Sequence, residues 1–206
     1  MITLQTDQIP SHADSERSPS TRSLNVIELG CGCGVVGICL TQLLPTCNVL
    51  LTDMPEAEEI ACRNLAIMNP LPSSRAAFMT LDWEAPLPKA IKDQNFDLVI
   101  VSECTYNTDT IPALVQTLSA LNRQSPNAAI LLSTKVRHSS ESMFFDLMRK
   151  TNLVEADHTE LSLPKDASSD EEPEVAHVYV FRGKEVHCSI LSTRDGKPFI
   201  RFLSIE

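Results

Sequence analysis

Four of the six glycines in this 206-residue chain lie within eight residues, at Gly30, Gly32, Gly34 and Gly37. They directly follow the apolar run Val-Ile-Glu-Leu, which ends at residue 29. Glycine loses more conformational entropy on folding than other residues, so a cluster indicates backbone that bends sharply or approaches a ligand closely. A tight turn without a ligand needs only one glycine. We therefore predict a nucleotide-cofactor loop between a first strand and a first helix.

The spacing of these glycines leaves two cofactor classes open. The dinucleotide pattern G-x-G-x-x-G fits Gly32, Gly34 and Gly37, but it begins two residues after the strand has ended. The alternative pattern E-x-G-x-G-x-G uses Glu28, Gly30, Gly32 and Gly34. A carboxylate at Glu28 favours a cationic cofactor over a pyrophosphate because opposite charges attract.

A second acidic position follows the next apolar run. Asp53 lies 19 residues after Gly34, at the end of the predicted second strand. A carboxylate there accepts hydrogen bonds from the ribose hydroxyls of any adenosine cofactor. The alternative is a helix N-cap before Pro55. Met54, beside Asp53, is a candidate for contact with an adenine face, although methionine also serves as ordinary packing.

These positions require a scaffold in which strands and helices alternate. Hydrophobic patterning predicts strands at 24–29, 48–52, 76–81, 96–102 and 128–134, and helices at 35–44, 55–68, 109–123 and 139–151. Asp109 is the candidate N-cap of the third helix, and residues 82–94 are expected to be mostly loop. Segments 153–163 and 175–182 predict an antiparallel hairpin. The expected fold is α/β, a Rossmann-like doubly wound, mostly parallel seven-stranded sheet with a C-terminal antiparallel hairpin.

Several motifs along this scaffold resemble one family. The first glycine motif is similar to that of class I S-adenosylmethionine-dependent methyltransferases. Leu-Asp-Trp at 81–83, an acid-x-x-Tyr at 103–106 and His-Val-Tyr at 177–179 narrow the resemblance. They resemble the family 16 lysine methyltransferases of the methyltransferase-like 21 type, seven-β-strand enzymes that act on translation factors and chaperones. The resemblance covers residues 24–182, roughly three quarters of the chain.

The resemblance implies a cofactor, S-adenosyl-L-methionine, and a set of site residues. The implied cofactor-binding positions are Glu28, Gly30, Gly32, Gly34, Asp53, Met54, Asp82, Trp83 and Ser102. Asp82 would accept the exocyclic amine of the adenine, and Trp83 would stack on the base or cover it. The alternative for Trp83, the only tryptophan, is a half-buried anchor in a proline-rich loop.

Glu103 and Tyr106 are the implied catalytic positions, and chemistry gives them a role toward a lysine. A lysine ammonium, with a pKa of about 10.4, has no lone pair until it loses a proton. A carboxylate and a phenol can hold and aim the amine, but a carboxylate raises the amine pKa, so desolvation or water must remove the proton. The family hallmark is Asp-x-x-Tyr, and glutamate adds a methylene that shifts the amine by about 1 Å. The alternative is that Glu103 caps a helix and Tyr106 packs against it.

The resemblance also suggests how the chain is divided. We expect a flexible polar N-terminal arm at 1–23, a methyltransferase domain at 24–183 and a C-terminal extension at 184–206. Family members carry a hairpin and helix before the glycine loop, and we expect this chain to lack that segment. The alternatives to a protein-lysine methyltransferase are a small-molecule N-methyltransferase and a cofactor-binding, catalytically weak or inactive interaction module. A nicotinamide-dependent oxidoreductase fits the fold but lacks a recognisable Tyr-x-x-x-Lys.

Composition excludes several other classes. The net charge of −10 disfavours nucleic acid as a partner, and no apolar run reaches the roughly 18 residues of a membrane helix. The polar N-terminus lacks an apolar signal core, so we predict a cytoplasmic protein, with the nucleus as the alternative. The seven cysteines are expected to be mostly buried free thiols, and no second Cys or His pair completes a metal site. We expect no metal, a monomer, and a protein substrate bearing a target lysine.

Overall fold

A computed structural model describes residues 22–135, 140–163 and 174–184. Within these residues, seven strands form one mixed sheet in the order β3-β2-β1-β4-β5-β7-β6. The strands are β1 (Leu24–Leu29), β2 (Cys47–Asp53), β3 (Arg75–Thr80), β4 (Leu98–Ser102), β5 (Ala129–Thr134), β6 (Leu153–Ser162) and β7 (Val175–Gly183). Strands β1 to β5 run parallel, and β7 is antiparallel to both β5 and β6. The predicted doubly wound sheet with its late hairpin is confirmed.

Helices cover both faces of this sheet. They are α1 (Val35–Leu43), α2 (Glu58–Ile67), α3 (Lys89–Lys92), α4 (Ile111–Gln124) and α5 (Ser140–Met148), with a 3-10 turn at Pro55–Ala57. Strand residues alternate between two buried clusters because successive side chains point to opposite faces. Ile27 and Leu29 pack with α4 and α5, whereas Val26 packs with α1 and α2. The parallel strands are therefore buried on both sides, which explains their nearly continuous apolar sequence.

The order of the sheet fixes where ligands can bind. Strands β1 and β4 are neighbours in the sheet but are not consecutive in the chain, so the connections after them diverge to opposite faces. A crevice opens at this switch point, outside the carboxyl ends of the strands. The loops after β1 and β4 carry the predicted glycines, Glu103 and Tyr106, and the neighbouring ends of β2 and β3 carry most of the other predicted positions.

Residues 82–94 are mostly loop, as predicted, with the short helix α3 at 89–92. Two other local expectations differ from the structure. Asp109 does not cap α4: the N-cap is Thr110, without a side-chain cap, and the amide of Asp109 instead donates to Asn107 Oδ1 at 3.0 Å. The thiols are also less uniformly buried than expected, because Cys33 and Cys62 are exposed.

Some expectations lie outside the described residues. Residues 1–21 and 185–206 contain most of the predicted arm and extension, which stay predictions. Among the helices that the structure describes, none combines the length and hydrophobicity that a membrane crossing requires.

Candidate functional site

The glycine loop (residues 30–34) leaves β1 in a conformation that few side chains tolerate. Gly30, Gly32 and Gly34 have φ angles of +64°, +53° and +77°. A Cβ atom on Gly30 would lie 2.6 Å from Cys104 Sγ, so this position is closed by neighbouring side chains. A Cβ atom on Gly32 would have no atom within 4 Å, so the backbone there borders open space. The loop thus presents bare main chain to the crevice at Gly32.

Asp53 connects this loop to the loops after β2 and β3. Its carboxylate accepts a hydrogen bond from the Gly32 amide at 2.7 Å and another from the Met54 amide at 2.7 Å. Its backbone carbonyl accepts a third from the Leu81 amide at 2.8 Å. Asp53 is half-buried, so the carboxylate remains at the edge of the crevice. The predicted sugar-binding residue therefore lies directly against the glycine loop, and no helix cap is formed by its side chain.

Glu28 lies behind the loop. Its side chain is only 2% exposed, and its Oε2 atom accepts a hydrogen bond from the Gly37 amide at 2.8 Å. Burial raises the pKa of Glu28 from 4.5 to about 7, with the Gly37 hydrogen bond opposing the shift and the charge of Asp53 adding to it. Gly34, the N-cap of α1, has no side chain to satisfy the first amides of the helix, and Glu28 satisfies one from β1. Glu28 thus anchors the loop to the helix that follows.

Position 37 has no room for a side chain, because Glu28 and the neighbouring strand β2 lie directly against it. A Cβ atom there would lie 2.4 Å from Leu51 Cδ2, 2.5 Å from Glu28 Oε2 and 2.9 Å from Val49 Cγ1. In the sequence, Gly37 belongs only to the dinucleotide pattern and has no place in the E-x-G-x-G-x-G motif. Its role is to let α1 approach the sheet closely enough for its amide to reach Glu28.

The Glu–Tyr loop (residues 102–107) leaves β4 on the other side of the switch point. Glu103 has a φ of 55°, in the left-handed region that residues other than glycine seldom adopt. Its amide donates to Ser133 O at 2.8 Å, and its Oε1 atom accepts from the Lys135 amide at 2.8 Å. Glu103 is therefore held between the ends of β4 and β5, and it does not cap α4, whose first amides receive no side-chain cap. Tyr106 is 73% exposed, so it does not pack against the start of α4.

Cys104 links the two loops and was not among the predicted site residues. Its Sγ atom lies 3.4 Å from Leu29 O, 3.7 Å from Gly30 O and 3.2 Å from Ser102 O. Burial raises the pKa of Cys104 to about 12, so the thiol stays protonated and can donate. In the sequence Cys104 is only a small apolar residue between Glu103 and Tyr106, so nothing in the sequence predicted this contact.

The remaining predicted positions surround the crevice unevenly. Met54 is 45% exposed, and Asp82 is exposed with its Oδ1 atom accepting from the Glu84 amide at 2.8 Å. Ser102 is half-buried at the end of β4. The Trp83 ring packs against Gly30, 3.2 Å from the position of a Cβ atom there, and its buried Nε1 has no hydrogen-bond partner among the described residues. Trp83 thus contacts the glycine loop, and its role toward a base stays a prediction.

Comparison with known proteins assigns a family. The family model described as lysine methyltransferase matches residues 4–151. The mouse EEF1A lysine methyltransferase 3 is 34% identical over 167 residues, which cover 80% of this chain and 64% of the mouse protein. The zebrafish protein N-lysine methyltransferase METTL21A is 32% identical over 134 residues, covering 65% of this chain and 59% of that protein. The chain thus spans less than two thirds of the length of each relative.

Solved structures agree on the fold. A SAM-dependent methyltransferase from Methanosarcina mazei superposes with a TM-score of 0.58 at 12% identity, covering 78% of this chain and 92% of that chain. The precorrin-6y C5,15-methyltransferase of Geobacter metallireducens superposes with a TM-score of 0.52 at 13% identity, covering 78% of this chain and 80% of that chain. At such low identity these structures support the architecture alone. The match of the family model over more than half of the sequence, together with the glycine loop and the Glu–Tyr loop, shows that the chain belongs to the lysine methyltransferase family.

Proposed function

We propose that this protein is an S-adenosylmethionine-dependent protein-lysine N-methyltransferase. The observation that carries the proposal is the position of Glu103, a strained acidic residue fixed beside the glycine loop at the switch point of the sheet. Strained backbone outside glycine persists only where the surrounding structure enforces it, and it is concentrated at functional sites. A site that held only a cofactor would not need a third carboxylate beside Glu28 and Asp53.

The residues around the crevice fit the proposed cofactor. Main chain borders open space at Gly32, so a nucleoside can approach without meeting a side chain. The Asp53 carboxylate, already bonded to the Gly32 amide, has further acceptor lone pairs for a ribose diol. The edge carboxylate of Asp53, bonded to the Gly32 amide, makes this side of the crevice electronegative, which suits a cationic sulfonium rather than a pyrophosphate. When bound, S-adenosylmethionine supplies an electrophilic methyl group.

The protein's own part in the reaction is to hold and aim the acceptor amine. The Lys135 amide and Ser133 carbonyl fix Glu103, so its carboxylate is oriented before a substrate arrives. Such alignment contributes to rate because a misplacement of about 1 Å can cost about a hundredfold. Exposed Tyr106 lies three residues further along the same loop, where its phenol can contact an incoming side chain at the surface. The amine must shed its proton before transfer, and water at this open edge is available to take it.

The proposal also covers the acceptor, the oligomeric state and the cellular compartment. The acceptor would be a protein lysine, and elongation factor 1A is the first acceptor to test because of the name of the mouse relative. The net charge of −10 suits a basic face around that lysine. We propose that the protein acts as a monomer in the cytoplasm, with the nucleus as the alternative compartment. Size-exclusion chromatography with light scattering and imaging of the tagged full chain test these two points.

A methyl-labelling experiment tests the activity. The full chain is incubated with methyl-labelled S-adenosylmethionine and either elongation factor 1A or a cell lysate, and label is followed in proteins and in small molecules. We expect label on lysine in protein, and a loss of about a hundredfold in Glu103→Gln, whose amide oxygen still accepts from Lys135. Glu84→Gln, another exposed carboxylate in a loop, is the matched control and should retain full activity.

Each other outcome points to a different function. Label confined to small molecules would replace the protein acceptor by a small-molecule amine. Binding of S-adenosylhomocysteine without any transfer would make the chain a cofactor-binding interaction module. Failure to bind either cofactor form would overturn the proposal as a whole.

A further inference from the structure

The hairpin of β6 and β7 carries a cluster that the methyltransferase site does not use. His158, Glu160 and His177 each offer one ligand atom, and the three atoms lie within 4.8 Å of one another. We propose that these residues form a binding site for a divalent transition-metal ion of the zinc type. The proposal is independent of the methyltransferase activity, because none of the three residues belongs to the glycine loop or the Glu–Tyr loop.

The strand register brings the three residues together. Glu160 is directly opposite His177, and His158 is directly opposite Tyr179. Residues two apart on a strand share a face, so all four side chains project from the same side of the hairpin. Opposed and diagonal neighbours in an antiparallel pair are close enough for long side chains to meet. The sequence did not indicate a metal site because these ligands are close across two strands rather than along one segment.

The distances between the ligand atoms suit one ion. His158 Nε2 and His177 Nδ1 form a hydrogen bond of 3.1 Å, and a bound ion would take the place of the proton between them. Two imidazole nitrogens bound to the same tetrahedral zinc at about 2.05 Å are separated by about 3.3 Å, so this pair needs almost no movement. Glu160 Oε1 lies 3.8 Å from His177 Nδ1, and its side chain is 65% exposed and therefore able to adjust. Two histidines and one glutamate form a donor set that zinc uses with water in the fourth position.

The imidazole rings are already oriented. The His158 ring stacks on Tyr179 with centroids 4.2 Å apart and an interplanar angle of 4°. The His177 ring is nearly parallel to His158, at 18° with centroids 5.3 Å apart. Tyr179 is in turn fixed by Phe145 of α5, with centroids 4.8 Å apart. The rings are thus held by packing, which lowers the entropy lost when the ion binds.

The cluster also lies at a defined place in the fold. His177 pairs with Thr134, the last residue of β5, and Thr134 lies immediately before the Lys135 amide that holds Glu103. A bound ion would join β6 to β7 at the sheet edge where the strands β1 to β5 end. It would therefore restrain the hairpin beside the catalytic edge without contributing a ligand to the reaction.

Metal titration of the full chain tests the proposal. Zinc affinity is measured by competition with a chromophoric chelator, and Co²⁺ serves as a spectroscopic substitute under reducing conditions. We expect one equivalent of Co²⁺ to give tetrahedral ligand-field bands that zinc abolishes, without a thiolate charge-transfer band. His158→Ala and His177→Ala should each lower zinc affinity at least about tenfold. Thr159→Ala, whose side chain is on the opposite face, is the matched control and should bind zinc like the wild type.

Three results would overturn it. Zinc affinity equal in wild type and in the His158→Ala/His177→Ala double variant would mean that the cluster binds no ion. A thiolate charge-transfer band would assign the metal to the cysteines instead. If a histidine variant unfolds, zinc binding is measured instead in Glu160→Gln, together with the imidazole proton NMR signals of the wild type. Imidazole signals that do not shift when zinc is added would equally refute the site.

Discussion

The two loops that meet at the switch point are built in opposite ways. Around the glycine loop the carboxylates face the main chain: Glu28 is almost fully buried and accepts from the Gly37 amide, and Asp53 accepts from the Gly32 amide. In the Glu–Tyr loop the predicted catalytic side chains are at the surface, since Glu103 is exposed on strained backbone and Tyr106 is exposed as well. One side is a prepared site for a small ligand, and the other is a surface that a larger partner can contact.

Under the proposed function, this difference would let one sheet edge receive two ligands, a cofactor and a protein acceptor. A cofactor that is always the same molecule can be recognised by rigid main chain and fixed carboxylates, because no adjustment is needed. A protein acceptor must bring a lysine from outside, so the residues that receive it have to be accessible. Substitutions on the glycine-loop side should therefore change stability and cofactor affinity, whereas those of the exposed residues Glu103 and Tyr106 should change transfer alone.

The largest expected effect is on the buried carboxylate of the glycine-loop side. Glu28 has a pKa of about 7 in the folded protein, against an ordinary value of 4.5, so its protonated form is favoured by folding. Below pH 4.5 Glu28 is protonated in both the folded and the unfolded state and adds no pH dependence. Between pH 4.5 and pH 7 it ionises in the unfolded state first, so the free energy of unfolding falls by about 3 kcal/mol. Glu28→Gln should lose this dependence and so gain stability relative to the wild type between pH 5 and pH 8.

Urea unfolding of both proteins at pH 5 and pH 8 measures this change. Other titrating groups are common to both proteins, so only the difference between the two pH profiles matters. If the free energy of unfolding changed with pH equally in the wild type and in Glu28→Gln, Glu28 would not be a buried acid. The contrast between a buried Glu28 and an exposed Glu103 would then be lost.

The next effect is on cofactor affinity. Asp53→Ala removes the acceptor for two amides, those of Gly32 and Met54, and one hydrogen-bonding carboxylate from the ribose side. Hydrogen bonds to charged groups contribute about 1.5–3 kcal/mol, so affinity for S-adenosylhomocysteine should fall about 10- to 100-fold. Isothermal titration measures it. Asp93→Asn, an exposed carboxylate paired with Lys89, is the control and should bind like the wild type.

Two glycines of the same helix–loop junction should then respond differently. Gly37→Ala places a methyl group against Leu51, Glu28 and Val49. Overpacking should cost about 3 kcal/mol, and the higher helix propensity of alanine should return about 1 kcal/mol. The free energy of unfolding should therefore fall by about 2 kcal/mol. The methyl group of Gly32→Ala contacts no other atom, so the free energy of unfolding should fall by only about 1 kcal/mol, because alanine disfavours the positive φ at this position. The same methyl group should weaken cofactor binding. Thermal melts and titration distinguish the two. An equal effect on cofactor affinity would contradict open space at Gly32.

A further effect is expected at the phenol of the Glu–Tyr loop, and it is smaller than the loss expected for Glu103→Gln. Tyr106→Phe removes one phenol hydroxyl from an exposed ring and should lower kcat for methyl transfer about tenfold, the equivalent of one net hydrogen bond of about 1.4 kcal/mol. Stability and S-adenosylhomocysteine affinity should not change. A loss of cofactor binding in this variant would place Tyr106 on the cofactor side and erase the distinction between the two loops.

Local patterns predicted most elements, but not the details that depend on neighbours. The apolar runs and the glycine cluster predicted β1, α1 and β4 within one or two residues, because buried strands and tight turns leave compositional signals. Asp109 was the wrong cap because capping depends on backbone geometry, and the chain enters α4 one residue later. The left-handed Glu103 could not be anticipated, since no glycine or asparagine marks it.

What the sequence alone determined is the order of elements and the residue types at the carboxyl ends of the strands, since periodicity and glycine placement act over a few neighbours along the chain. Only the tertiary structure decided which carboxylate is buried, that Cys104 joins the two loops, and that His158, Glu160 and His177 share one face of the hairpin. Those facts depend on strand register and burial. Both are set by packing between residues far apart in the chain, where a single sequence carries no local signal.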